Sequence, residues 1–145
     1  MPFERAFNVA APPAVVWSVL IDVERWPDWS PGCRSASPEQ PGDLAHGSSA
    51  MLELRGRPGP ERWTVTEFDD GRCFVWETRP WPGMRVEGGH AVEPEGTGSR
   101  VRLWIAGRGP LGAFMDPIIG RMARENVEAE ADGLKRRCEE LAADG

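Results

Sequence analysis

Residues 110–141 constrain this chain more than any other stretch. Asp116 followed by Pro117 reads as a helix start: the Asp side chain accepts from free backbone N–H groups, and proline at the first helical position loses no bond. Apolar residues then recur at helical spacing, at Ile118, Ile119, Met122, Val127, Ala131, Leu134, Cys138 and Leu141. No later proline interrupts them, so one long helix is expected. Residues 110–115 form either a separate helical turn or the same helix kinked at Pro117. Around the helix axis, Ile118, Ile119 and Met122 share a sector with Asn126 and nearly with Glu130, whereas Val127, Leu134, Cys138 and Leu141 lie further round. Such a helix either packs on a sheet at one end and overhangs a cavity at the other, or drifts as it follows a twisted sheet.

Upstream, the pattern is of short strands cut by turn chemistry. Residues 3–9 alternate as a strand, Ala11-Pro12-Pro13 starts a helix with Val16, Trp17, Leu20 and Ile21 on its apolar face, and residues 22–29 read as a short irregular helix ended by Pro27. Strands are expected over residues 33–39, 48–55, 62–68, 72–79, 84–93 and 99–106, separated by turns such as Asp69-Asp70-Gly71 and Pro80-Trp81-Pro82-Gly83. Loops this short join antiparallel neighbours, because parallel strands need crossover segments. Parity places Trp63, Val65, Phe74, Trp76, Thr78, Met84, Val86, Gly88, His90, Val92, Val101, Leu103 and Ile105 on the inward face, with Trp104 on the outer one beside the arginines. The expected fold is α+β: one curved antiparallel sheet of six to seven strands, with a long C-terminal helix across its concave face and two short helices after the first strand.

At 145 residues the chain is expected to be a single domain spanning residues 1–145. A net charge of −6 argues against nucleic acid or an anionic membrane as partner. The longest apolar run, residues 14–21, is too short to span a bilayer, and no basic leader with an apolar core opens the chain. Cys33, Cys73 and Cys138 lack metal-type spacing and fit a reducing cytoplasm, so no metal or cofactor is expected. Seven tryptophans and no tyrosine imply large apolar walls and exclude any mechanism that needs a phenol.

Ala11-Pro12-Pro13 with Val16-Trp17 and Leu20, then residues 22–29 (DVERWPDW), resemble the opening of the START-like or SRPBCC superfamily, its polyketide cyclase/dehydrase-like branch in particular. Phe74-Val75-Trp76, Gly89-His90, Gly98-Ser99-Arg100-Val101, Gly109-Pro110-Leu111 and Arg124-Glu125-Asn126-Val127 look like its later landmarks. The resemblance implies a helix-grip fold around a deep, mostly apolar cavity. It also implies a range of activities, from lipid and hormone carriers to aromatase/cyclases and interaction modules. The cyclase relatives include phenols among their polar pocket groups, and here the chain departs from them.

The residues expected to contact a ligand are Trp26, Trp29, Trp63, Phe74, Trp76 and His90, with Met115, Ile118, Ile119, Met122 and Asn126 from the helix. His90 is the one inward-facing imidazole of this reading, either bonded to a backbone carbonyl or serving as an anchor or acid–base group for a ligand. Glu130 is expected to face solvent or pair with an arginine, and Trp81 to stand at a cavity mouth. Gly107-Arg108-Gly109-Pro110-Leu111-Gly112 matches G-x-G-x-x-G, but no strand with an acidic end follows it, so a sharp turn from sheet to helix is expected instead of a nucleotide site. The expected function is binding of a small apolar or aromatic, polyketide- or lipid-like ligand by a monomer or homodimer. Its rivals are a cyclase or dehydratase using His90, and a co-chaperone-like module whose groove accepts another chain.

Overall fold

The computed structural model describes residues 3–144. The chain runs β1 (Phe3–Val9), α1 (Pro13–Ile21), a 3-10 turn (Val23–Arg25), α2 (Trp26–Trp29), β2 (Cys33–Pro38), β3 (Ser49–Leu54), β4 (Glu61–Asp69), β5 (Cys73–Trp81), β6 (Met84–Glu95), β7 (Gly98–Arg108) and α3 (Gly109–Asp144). One seven-stranded antiparallel sheet results, in the order β1-β7-β6-β5-β4-β3-β2. Only β1 leaves sequence order: it pairs with β7, from Phe3 opposite Ile105 to Val9 opposite Ser99. This is the α+β arrangement expected from turn chemistry and periodicity, and the helix-grip fold that the resemblance implies.

The inward parity holds along the central strands. Trp63, Val65, Phe74, Trp76, Thr78, His90, Val92, Val101 and Leu103 are buried, with Val86 and Ile105 half-buried. The opposite faces carry ion pairs such as Arg79 with Glu77 at 3.0 Å and Arg102 with Glu4 at 3.3 Å. A register shift between Val65 and Glu67 inserts an extra residue into β4, a bulge of the kind that bends a strand and deepens its twist. The curved sheet receives α1 and the second half of α3, whose Leu134 and Cys138 are fully buried against Leu20, Leu103 and Val101 in the same core. Burying a leucine this completely contributes about 1.5–3 kcal/mol each.

Two prolines behave differently from the sequence expectation, and a third follows one of its two alternatives. Pro27 does not end the helix after α1; it sits in the first turn of α2, where its missing N–H has no helical partner to lose. Pro80 lies within β5, which runs on to Trp81 near a register irregularity. Pro117 is inside α3, which begins at Gly109, so residues 110–115 belong to the same helix, the second of the two expected alternatives. The ring removes one helical hydrogen bond, to the carbonyl of Ala113, while Gly112 and Asp116 before it and Ile119 and Gly120 after it are buried.

That packing explains the glycine motif. A Cβ on Gly107 would lie 2.1 Å from the carbonyl oxygen of Gly112, so strand end and helix start touch backbone to backbone. Gly109 turns the chain with φ +78°, where Leu111 N–H donates to Gly83 O at 2.9 Å. Asp116 is not a cap: its Oδ1 accepts from the backbone N–H of Gly107 at 2.7 Å. The motif is a hinge-free corner between sheet and helix.

Candidate functional site

The first half of α3 touches the sheet along one side, at Gly112 and Gly120, and a cavity of about 440 Å³ lies beneath the rest of it. Its far wall is aromatic. Trp63 and Trp76 project from neighbouring strands with ring centroids 5.9 Å apart, and Trp26 of α2 packs on Trp76 at 5.0 Å. Trp26 is anchored by its indole N–H, which donates to Leu20 O at 3.0 Å. The roof is one stripe of α3: Met115, Ile118, Ile119, Met122, Asn126, Val127 and Glu130 all line the cavity. The helix sector that carries Ile118, Ile119, Met122 and Asn126 in sequence is thus the sector over the cavity.

The open side is apolar as well. Trp81 is 67% exposed and Met122 65%, and both belong to the lining, with Ile118 and Leu111 alongside. Trp81 therefore stands at the mouth, held on the hairpin that joins β5 to β6. Arg55 and Arg57 also reach the lining and are paired, with Glu125 at 3.5 Å and Glu61 at 2.7 Å.

Nine of the eleven residues expected at the site line this cavity, while Trp29 and Phe74 stand behind its wall. Trp29 packs against Trp26 at 5.6 Å, and Phe74 is fully buried, stacked on the His90 ring at 4.2 Å. Asn126 has a structural bond as well: its Nδ2 donates to the carbonyl of Arg55 at 2.8 Å, tying α3 to the end of β3.

His90 and Glu130 form the polar end. The imidazole is buried among Phe74, Trp26 and Trp76, with its Nδ1 3.3 Å from the carbonyl oxygen of Phe74. Its Nε2 lies 3.5 Å from Oε1 of Glu130. The sequence expectation of a solvent-facing or arginine-paired Glu130 does not hold. Its side chain is 17% exposed and turned onto His90, and Oε1 is buried with no hydrogen-bond partner among the described residues. Its place one helical turn after Asn126 is the available sequence signal. The indole N–H groups of Trp63 and Trp29 are also buried without a partner among the described residues.

Cys33 borders the same space, and burial pushes its thiol up to about 11, with the nearby Glu130 carboxylate acting in the same direction. The thiol is therefore protonated at neutral pH and unsuited to nucleophilic attack. Among the described residues there is no group of three His, Cys, Asp or Glu placed to hold a metal ion, and no helix is long and apolar enough to cross a membrane.

Comparison with known proteins agrees with this architecture. Residues 2–139 match the family model described as polyketide cyclase / dehydrase and lipid transport. No curated protein matches the chain. Among solved structures, TTHA0849 from Thermus thermophilus is similar over the whole of both chains, with a TM-score of 0.74 and 22% identity. A START superfamily protein from Mycobacterium smegmatis has a TM-score of 0.72 and 19% identity, over 97% of this chain and 98% of that one. The di-domain ARO/CYC StfQ from the steffimycin biosynthetic pathway has a TM-score of 0.74 and 16% identity, over 98% of this chain and 51% of its own. At these identities the likeness is one of fold.

Proposed function

The chain belongs to the polyketide cyclase / dehydrase and lipid transport family, and from that premise we propose that it binds a small, largely apolar, planar ligand in the cavity under α3. The observation that carries this reading is the cavity's composition: about 440 Å³ walled by Trp26, Trp63 and Trp76, with Trp81 and Trp104 also in the lining, and roofed by a stripe of Met and Ile. Pockets of this size and character bury most of a small ligand's surface. Flat indole faces favour flat partners. The ligand-contacting residues of the proposal are Trp26, Trp63, Trp76, His90, Met115, Ile118, Ile119, Met122 and Asn126. Trp29 and Phe74 support them from behind.

The test is a thermal-shift screen of aromatic and lipid-like compounds, with native mass spectrometry of the purified protein. A ligand that binds only the folded state stabilises it by about 2.7 kcal/mol at a hundredfold excess over Kd. Saturable shifts from flat apolar compounds are expected; a library that yields none would sink the reading.

One observation favours a second reading, catalysis. His90 and Glu130 meet inside the cavity, and an imidazole beside a carboxylate is an acid–base pair in form. Binding without turnover is the reading adopted, because no phenol or ionised thiol accompanies the pair. Conversion of a poly-β-keto substrate by the purified protein would reverse that preference.

A further inference from the structure

The polar end of the cavity has a definite hydrogen-bonding sense. A backbone carbonyl only accepts, so the Nδ1 of His90, 3.3 Å from Phe74 O, carries a proton. Neutral His90 then turns a bare Nε2 toward Glu130 Oε1, which is buried and has no other partner among the described residues. Two acceptors do not bond each other, so this contact is satisfied only by a proton on one side of it. With the proton on Nε2, Glu130 is a carboxylate; with it on Oε1, Glu130 is a neutral acid. Both placements leave Oε2 of Glu130 an acceptor. No protein hydrogen bond to Oε2 is present among the described residues, and unlike Oε1 it is not among the buried atoms without a partner, so it is the accessible oxygen of a residue that lines the cavity. The arginines of the lining do not serve it, since Arg55 and Arg57 are paired with Glu125 and Glu61.

We infer that the ligand carries a hydrogen-bond donor, a hydroxyl or an amine, on its apolar body, and that Oε2 of Glu130 receives it. The inference rests on the binding reading above and adds the chemical class. It selects alcohols, phenols and amines over ethers, ketones and hydrocarbons of the same shape. An acceptor-only ligand strips water from Oε2 and offers nothing in return, the costly side of hydrogen-bond exchange. The stacked Phe74 ring and the flanking Trp26 and Trp76 hold the imidazole, and the imidazole in turn fixes the carboxylate.

The experiment measures Kd for four probes sharing one naphthalene body: naphthylmethanol, naphthylmethylamine, the methyl ether of the alcohol, and ethylnaphthalene. The alcohol and the amine are expected to bind about tenfold tighter than the ether, the size of one net hydrogen bond at a buried acceptor. In Glu130→Leu that gap is expected to close to within about twofold while ethylnaphthalene binds as before or better. In Glu130→Gln it narrows because the ether gains a donor, which keeps the test alive should the leucine variant fold poorly. Ether and alcohol binding equally to the wild type would overturn the inference and leave apolar binding standing. A gap that survives both substitutions would also overturn it, by sending the donor to another acceptor. Failure of all four probes would remove the binding reading and this inference together.

Discussion

Asp116 on α3 accepts the backbone N–H of Gly107 on β7 at 2.7 Å, and this bond fixes where the long helix leaves the sheet. The same bond holds the Asp116 carboxyl below its usual value, against the opposing effect of burial. A carboxyl depressed on folding stabilises the protein above its unfolded value, near pH 4, and that contribution is lost as pH falls through the lower folded value. Asp116→Ala is expected to cost about 1.5–3 kcal/mol at pH 7, as for a hydrogen bond to a charged group. Urea denaturation of both proteins should show the gap shrinking as pH drops below about 4. A gap that stays constant down to about pH 2 would mean that the carboxylate charge contributes nothing there.

The roof of the cavity should tolerate bulk where a packed core would not. Met122 lines the cavity at its mouth and is mostly exposed, so Met122→Trp has room to place an indole over the opening. Stability is expected to stay within about 0.5 kcal/mol, with ligand binding weakened. Overpacking of a filled core would instead cost about 1–3 kcal/mol. Thermal denaturation separates the two outcomes.

The antiparallel run from β2 to β7 and the inward faces are legible in the sequence because period-2 alternation and short turns leave few other solutions, whereas the pairing of β1 with β7 carries no local signal. Trp63, Trp76, His90 and Leu103 face the interior as parity requires. What sequence pattern misreads is proline and charge. Pro117 announces a helix start in local terms, and the true start at Gly109 depends on a backbone contact between Gly107 and Gly112 that no propensity encodes. Glu130 looks like a solvated charge because carboxylates are rarely buried unpaired. Its turn toward His90 is set by the cavity, which exists only once helix and sheet are assembled. Trp29 and Phe74 look like cavity wall because parity and spacing give the side of a sheet, not the depth behind it.

Two helical glycines of α3 should respond oppositely to alanine. At Gly120 an added Cβ meets nothing nearer than Phe3 Cβ at 3.4 Å, an ordinary contact. Gly120→Ala is therefore expected to stabilise the protein by about 0.5–1 kcal/mol, the helical preference for alanine. At Gly133 the added Cβ would lie 1.8 Å from the carbonyl oxygen of Trp29, which is backbone and cannot rotate away. Gly133→Ala must displace α2 and is expected to cost about 1–3 kcal/mol net. Because Trp26 of α2 is a cavity wall, the same variant should also weaken ligand binding. Equal melting temperatures for the two variants would show that α2 is not seated on α3 as described.

Carrier and enzyme part company at His90. Its ring is stacked on Phe74 at 4.2 Å and closed in by Trp26 and Trp76. Its replacement therefore loses aromatic contact worth about 0.5–1.5 kcal/mol. His90→Gln keeps a donor for Phe74 O and a polar atom for Glu130, but it cannot carry a proton back and forth near neutral pH. For a carrier the variant should bind within about tenfold of the wild type, since at most one hydrogen bond is disturbed. For an enzyme with His90 as general acid or base, affinity would persist while turnover fell by about 10²–10⁴. The comparison uses a ligand from the thermal-shift screen for binding and a poly-β-keto substrate for turnover, with each variant's melting temperature as the check on folding. The expected result is a modest loss of affinity, a small loss of stability and no turnover in either protein. Turnover in the wild type that collapses in His90→Gln with binding intact would make the His90–Glu130 pair a catalytic one.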